Sequence, residues 1–347
     1  MTQSKPSTRL GDAAEPTPST AHGAIVPCGF EPHPLMRGPH AQTVLPTLLR
    51  PTPRLTLRAE RLELPDGDFV DLGWAGPEQG DRIAVLVHGL TGGFQSKYLR
   101  GTARRLIARN WRVVAIQLRG GSDEPNRHPR GYHHGDTGDL RFLWQELQRR
   151  EPGVRVAAVG WSMGANIVLK ALGEEGDAAP VVAAAAGCAP FRLEVCASKL
   201  RKGTARLYQK RLMRDLVALV QRKNAAVPVP DFVDLERTVR AVDFFEFDDA
   251  YTAPMNGFRD ALDYYARCEC APFLKDIRRP TLIVNARDDP FMTPAVLPSA
   301  DMLAPGVTLE VSRRGGHVGF VAAGARGEPV FWMERRFADY LEAAVPA

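Results

Sequence analysis

The stretch Val154-Arg-Val-Ala-Ala-Val-Gly-Trp-Ser-Met-Gly-Ala-Asn-Ile-Val-Leu-Lys170 carries the reading of the whole chain. Val154–Val159 is short, apolar and rich in β-branched residues and alanine, which suits a buried strand. Ala165–Leu172 places apolar side chains at helical spacing and contains no proline, so a helix follows. Between them lies Gly160-Trp161-Ser162-Met163-Gly164, a G-x-S-x-G corner. A strand-to-helix turn this tight strains the serine backbone and pushes its Oγ out at the C-terminal end of the sheet. Gly160 and Gly164 lack Cβ, so strand and helix can close on each other. Free N–H groups at the helix start then face negative charge developing beside Ser162. The pattern alone is common. Its strand-before, helix-after context makes Ser162 a candidate nucleophile, against the alternative of a solvated serine in an ordinary turn.

Outward from this corner, strands and helices alternate. Upstream, Arg82–Val87 reads as a strand ending at His88-Gly89-Leu90-Thr91-Gly92-Gly93, with a helix over about Lys97–Arg109. Trp111–Leu118 is another strand, and Leu140–Arg150 a helix. Downstream, Val181–Ala186, Pro280–Asn285 and Val307–Ser312 read as strands, and a helix over about Val330–Ala344 closes the chain. Such alternation predicts a mostly parallel, doubly wound sheet. Leu57–Leu64 and Phe69–Trp74 flank Pro65-Asp66-Gly67-Asp68, a hairpin signal that adds two antiparallel strands at the start. The expected sheet has eight strands.

The texture changes after Pro190. Residues 191–270 hold no clear buried strand, and Lys199–Lys223 is long, basic and helix-like. The expected organisation is a core of residues 25–190 and 271–347, with 191–270 as a helical cap or lid insertion. Within it, Asp243-Phe-Phe-Glu-Phe-Asp-Asp249 either lines an apolar pocket or packs the insertion onto the core. Residues 1–24, rich in Ser, Thr, Pro, Gly and Ala, are expected to be a disordered tail. Phe30–Leu49 is apolar enough to dock on the body, and His33 and His40 within it read as anchoring rather than ligating.

The bulk numbers bound the function. With 347 residues and 44% hydrophobic content there is material for a large core. The net charge is only +5, and the Arg doublets lie beside apolar residues along the chain, unlike a nucleic-acid-binding element. Five cysteines, an odd number, argue for reduced thiols and a cytoplasmic setting. Cys268 and Cys270 form the only close pair, with no partner pair at zinc spacing. No run approaches the ~20 apolar residues of a membrane span, and the first residues lack a signal peptide's apolar core.

Three strand ends carry chemistry in the order Ser162, Asp289, His317. A serine hydroxyl is a weak nucleophile until a base takes its proton. His317 can serve as that base, and a carboxylate then fixes its tautomer and stabilises the imidazolium. Parallel strands bring their C-terminal loops to one edge, so residues distant in sequence can meet there. Asp288 and Asp289 compete for the carboxylate role; Asp289, just before Pro290-Phe291-Met292-Thr293-Pro294, is favoured. Oxyanion donors are expected at the backbone N–H of Met163 and of Leu90, while His88 is expected to order its loop. His133-His134-Gly135-Asp136 offers a metal-site alternative, with a loop that orders the next helix as its plainer reading.

Taken together, the motifs are similar to those of the YheT-like branch of the α/β-hydrolase superfamily. They are Gly-Pro-His-Ala-Gln-Thr (38–43), Leu-Pro-Asp-Gly-Asp-Phe-Val-Asp-Leu (64–72), His-Gly-Leu-Thr-Gly-Gly (88–93), Arg-Gly-Gly-Ser-Asp-Glu-Pro-Asn-Arg (119–127), Gly-Trp-Ser-Met-Gly-Ala-Asn (160–166), Asn-Ala-Arg-Asp-Asp-Pro-Phe (285–291) and Gly-Gly-His-Val-Gly-Phe (315–320). The resemblance spans about residue 28 to the C-terminus. It implies carboxylic-ester hydrolysis by Ser162, Asp289 and His317, without cofactor or metal, on a small-molecule substrate. The expectation is therefore a serine carboxylesterase for short- or medium-chain acyl esters. Acyl transfer to an alcohol and a catalytically silent binding module are the alternatives.

Overall fold

The computed structural model describes residues 22–347. The tail expected over 1–24 therefore lies outside the described residues except at its end, where Ala24 opens a strand. Along the chain the elements are β1 (Ala24–Pro27), α1 (Pro39–Leu49), β2 (Arg58–Glu63), β3 (Phe69–Ala75), β4 (Arg82–Val87), α2 (Lys97–Ile107), β5 (Arg112–Gln117), α3 (Gly138–Arg150), β6 (Arg155–Trp161), α4 (Met163–Glu175) and β7 (Val181–Gly187). The helices α5 (Leu193–Leu200), α6 (Ala205–Ala226), α7 (Leu235–Arg240), α8 (Phe244–Phe247), α9 (Ala253–Met255) and α10 (Ala261–Cys268) follow without a strand. The chain ends with β8 (Thr281–Ala286), β9 (Val307–Ser312), β10 (Val321–Ala323), β11 (Pro329–Phe331) and α11 (Trp332–Ala344).

The main sheet has nine strands in the order β1-β9-β8-β7-β6-β4-β5-β3-β2, not the expected eight. Every pairing from β1 to β5 along this order is parallel; the β5–β3 and β3–β2 pairings are antiparallel, so β3 alone runs against the other strands, and β2–β3 is the hairpin that the Asp-Gly turn predicts. The extra strand is β1, four mostly exposed residues paired with β9 at the sheet edge. Such a short edge strand carries no buried apolar run in its sequence. The C-terminal helix also starts later than its pattern suggests, because Val330 belongs to the small β10–β11 hairpin.

The central strands explain the pattern from which they were read. All six residues of β4, of β5 and of β8 are buried. Helices α3 and α4 cover one face of the sheet and α2 and α11 the other, giving two apolar layers. In a layer this dry, truncating one Leu or Ile to Ala costs about 2–5 kcal/mol. The six helices between β7 and β8 form a third cluster of their own, around Met213, Phe247, Tyr251 and Tyr264. The basic stretch Lys199–Lys223 is two helices, with a break at Arg201–Thr204 that includes Gly203 at φ 53°. Among the described residues no helix is long and apolar enough to cross a membrane, and all five cysteines are unpaired.

Candidate active site

Ser162 sits between β6 and α4 with φ 53° and ψ −120°, a left-handed conformation costly for any residue but glycine. Its backbone N–H is held by the Gly187 carbonyl of β7 at 2.8 Å. The flanking glycines are dictated by contact. A Cβ on Gly160 would lie 2.3 Å from the Gly164 carbonyl oxygen, and one on Gly164 would lie 2.3 Å from that of Val87. Larger residues would push α4 off the sheet.

Ser162 Oγ lies 2.9 Å from His317 Nε2, and His317 Nδ1 lies 2.7 Å from Asp289 Oδ2. Asp289 is buried. Its other oxygen accepts the Phe291 N–H at 2.8 Å, which fixes the carboxylate's orientation. The Phe291 ring then lies flat on the imidazole, with centroids 4.0 Å apart and planes 6° from parallel. Asp288 points elsewhere: Oδ1 accepts the Gly316 N–H at 3.1 Å. Burial raises its carboxyl above the ordinary range. Of the two adjacent aspartates, Asp289 meets the imidazole and Asp288 braces the loop that carries it.

The expected oxyanion donors sit in a distinctive hydrogen-bond context. In the loop after β4, Gly89 N–H donates to the Tyr98 hydroxyl and Thr91 N–H to the Tyr132 hydroxyl, both at 3.0 Å. Leu90 N–H, between them, and Met163 N–H, in the first turn of α4, have no protein acceptor among the described residues. His88 orders this loop. Its Nε2 accepts the Leu118 N–H at 3.2 Å and its Nδ1–H donates to the Gly89 carbonyl at 2.8 Å, while complete burial lowers its pKa to about 4.

The segment between β1 and β2 holds the third part of the site, which the motif reading did not assign. Thr43 Oγ1 on α1 accepts the His317 N–H at 2.9 Å. Gln42, fully buried, accepts the Val321 N–H at 2.7 Å and donates to the carbonyls of Val321 and Met36 at 3.0 and 2.7 Å. The fit is close: a Cβ on Gly319 would lie 1.8 Å from the Gln42 carbonyl oxygen. Gln42 and Thr43 stand in the Gly-Pro-His-Ala-Gln-Thr motif, the one signal that could have singled them out. His40 joins α1 to α6, with Nδ1 2.8 Å from the Tyr208 hydroxyl and Nε2 3.1 Å from Thr204 Oγ1. His33 accepts the Leu35 N–H at 3.2 Å and reaches the Gly327 carbonyl at 3.0 Å, an anchor as expected.

The metal alternative does not assemble among the described residues. His134 Nδ1 lies 3.0 Å from the Tyr264 hydroxyl, and Asp136 turns to Arg130 at 3.4 Å. His133 lies 3.8 Å from Cys268 Sγ. Burial lowers the pKa of both histidines to about 3. The group whose donor atoms do converge is Cys188, Asp289 and His317, all within 4.8 Å of one another. Its imidazole is committed to Asp289 on one side and Ser162 on the other. The Cys188 sulfur accepts the Val318 N–H at 3.2 Å, and burial pushes the thiol's pKa well up. That donor set suits a relay braced by a neutral thiol better than a cation.

Above Ser162 and His317 opens a cavity of about 600 Å³. Its walls combine Thr43 and Leu48 of α1, the Leu90 loop, and Ala197, Leu212 and Phe244 of the helices between β7 and β8. The run 243–249, left open between lining and packing, does both. Phe244 and Asp248 face the cavity, whereas Phe247 is in the cluster beneath. Asp248 is buried, accepts the Tyr265 hydroxyl at 2.7 Å, and has its pKa raised to about 7 by desolvation.

Residues 84–327 match the model of the alpha/beta hydrolase family. The chain belongs to that family. Within it, the chain falls in the YheT-like branch. It is 42% identical over 311 residues to "Putative esterase YheT" of Escherichia coli (strain K12), covering 89% of this chain and 91% of that one. It is 30% identical over 261 residues to medium-chain fatty acid ethyl ester synthase/esterase 2 of Saccharomyces cerevisiae, covering 69% of this chain and 58% of that one. Among solved structures it resembles the Pyrococcus furiosus esterase Pf2001, with a TM-score of 0.53 at 15% identity, over 83% of this chain and 93% of the other. That likeness concerns the fold.

Proposed function

We propose that the chain is a serine carboxylesterase acting on short- or medium-chain acyl esters. The observation that carries this reading is the hydrogen-bonded series Ser162, His317, Asp289 at the floor of an apolar-walled cavity. The relatives named as esterases support it.

With Nδ1–H donated to Asp289, His317 presents a lone pair at Nε2 to the Ser162 hydroxyl. Oγ attacks the ester carbonyl as its proton passes to Nε2. The N–H groups of Leu90 and Met163 hold the resulting oxyanion, and losing one such donor costs about 3 kcal/mol of transition-state stabilisation. The imidazolium, stabilised by Asp289, protonates the departing alcohol and leaves an acyl-enzyme. Water then enters, gives a proton to Nε2, and releases the acid and the free serine. No step calls for a metal or cofactor. The helices between β7 and β8 act as a cap that shapes the acyl site. The five unpaired cysteines support a reducing, cytoplasmic setting.

The test is Ser162→Ala assayed with p-nitrophenyl butyrate and octanoate. Activity should vanish while the melting temperature stays near that of the parent; full residual activity in a clean preparation would refute the reading. Failure of a fluorophosphonate probe to label Ser162 would instead favour a silent binding module. A second reading, acyl transfer to an alcohol, is favoured by the largely apolar cavity wall, which can exclude water from the acyl-enzyme. Ethyl ester formed with ethanol present, at the expense of free acid, would identify it.

A further inference from the structure

The rim of the large cavity has a character that the chemistry at Ser162 does not explain. Two of the helices that border it are α1, through Thr43 and Leu48, and α6, through Tyr208, Arg211 and Leu212. They meet at the His40–Tyr208 hydrogen bond. On the outer side of α1, Leu48 and Leu49 are each 69% exposed, and on α6 Leu207 is 72% exposed. Leu207 precedes Arg211 by one helical turn and so lies on the same side as that cavity-lining residue. Lone exposed leucines are ordinary, but here Leu48 lines the opening and Leu49 and Leu207 stand exposed on the two helices that border it.

The charge around them is one-sided. Residues 199–214 contain seven Lys and Arg and no acidic residue, against a net charge of +5 for the whole chain. Arg201 is paired with Asp243, and Arg211 and Arg214 with Asp215. Lys202, Arg206 and Lys210 are exposed and have no carboxylate partner among the described residues. α1 has no acidic residue either, and Lys97 lies at the same rim, its ammonium donating to the Thr47 carbonyl.

We infer that this rim is a docking surface for an anionic phospholipid bilayer. Leu48, Leu49 and Leu207 enter the acyl boundary and the cations of 199–214 meet the headgroup phosphates. A second copy of the chain fits less well, because a two-fold contact would set this basic stretch against itself. Nucleic acid would meet the cations but leave the leucines unexplained. Docked this way, the cavity mouth opens on the lipid, and an apolar acyl ester can move from bilayer to Ser162 without crossing water. That last consequence rests on the esterase reading; the docking does not.

The experiment therefore uses full-length Ser162→Ala protein, so that binding is read without turnover. It is sedimented with sucrose-loaded vesicles of phosphatidylglycerol and phosphatidylcholine, and with vesicles of phosphatidylcholine alone. Binding should need the anionic lipid and weaken as salt rises from about 0.1 M to about 0.5 M. Leu49→Ser with Leu207→Ser, and separately Lys202→Glu with Lys210→Glu, should each lower the partition coefficient about tenfold or more. None of these four residues lines the cavity, and circular dichroism checks that the variants fold. Absence of sedimentation, equal binding to both vesicle types, or parental binding by both double variants would overturn the inference. So would a stable dimer that the leucine variant dissociates. Loss of esterase activity in the parent with vesicle binding intact would count against the catalytic reading alone.

Discussion

The side-chain amide of Gln42 pairs with the backbone of Val321 on both its N–H and its C=O, as a neighbouring strand would. The two residues are 279 apart in sequence, and Val321 follows His317 by one turn of chain. An N-terminal side chain thus fixes the height of the loop that carries the imidazole. Gln42→Leu would leave two backbone groups, the Val321 N–H and the Met36 carbonyl, without this partner, while the Val321 carbonyl keeps the His33 N–H at 2.8 Å; each loss is worth about 1–3 kcal/mol. The variant should melt well below the parent and lose kcat more than it raises KM, because the His317 loop would sit less often in register with Ser162. Differential scanning calorimetry and steady-state kinetics on p-nitrophenyl butyrate check both.

Asp288 and Asp289 should separate sharply on substitution. Asp289→Asn keeps the shape but offers the imidazole an amide instead of a charge, and a loss of about 10⁴-fold in kcat is expected. Asp288→Asn should leave most of the activity, because its oxygen contacts the Gly316 amide and not the ring. Equal losses in the two variants would contradict the assignment.

Asp248 predicts a pH-dependent difference in stability. Its carboxyl stays protonated in the folded chain up to about pH 7, whereas an unfolded aspartate ionises near pH 3.9. Unfolding therefore releases a proton throughout that window, and the protonated carboxyl's contribution to stability is lost as pH rises. Asp248→Asn does not titrate, so its stability should gain on the parent between about pH 4 and 7. The gain is on the order of 1.4 kcal/mol per pH unit at most, and it levels off above pH 7. Urea unfolding of both proteins across that range measures it, and contributions common to both, such as the buried histidines, cancel.

The cavity wall should set acyl length. Ala197 of α5 is buried and faces the cavity, and Ala197→Phe would fill part of it. The ratio of kcat/KM for octanoate to that for acetate should fall by about fourfold for each methylene excluded, at about 0.8 kcal/mol per buried CH₂. An unchanged ratio would place the acyl chain along a different wall.

Legibility tracked burial. β4, β5, β6 and β8 read directly from sequence because each is built on an apolar run; Ser162 and Asp289 stood out as candidates because each follows such a run at a strand end, and His317 because it follows the alternating strand β9. β1 was hidden because an exposed four-residue edge strand has no such run. α1 read only as a docking segment: it begins with Pro39, contains Pro46, and buries one residue, the polar Gln42. Its part in the site depends on contacts with a loop about 275 residues away, and no periodicity encodes these. The split between Asp288 and Asp289 could be ranked but not decided from adjacency. The turn at Asp248–Thr252, wound more widely than an α-helix, left no mark that a pattern could catch.

Thr43 and Gln42 lie near the beginning of the chain, and the loop they clamp lies near its end. Synthesis reaches Gln42 and Thr43 long before Val321 and His317, so the clamp cannot close until the later pair has left the ribosome. While β9 and the His317 turn are still inside the exit tunnel, β1 lacks its partner strand and α1 has nothing to clamp. A nascent chain already presenting Ser162 then lacks the imidazole that lies 2.9 Å from its hydroxyl in the folded protein.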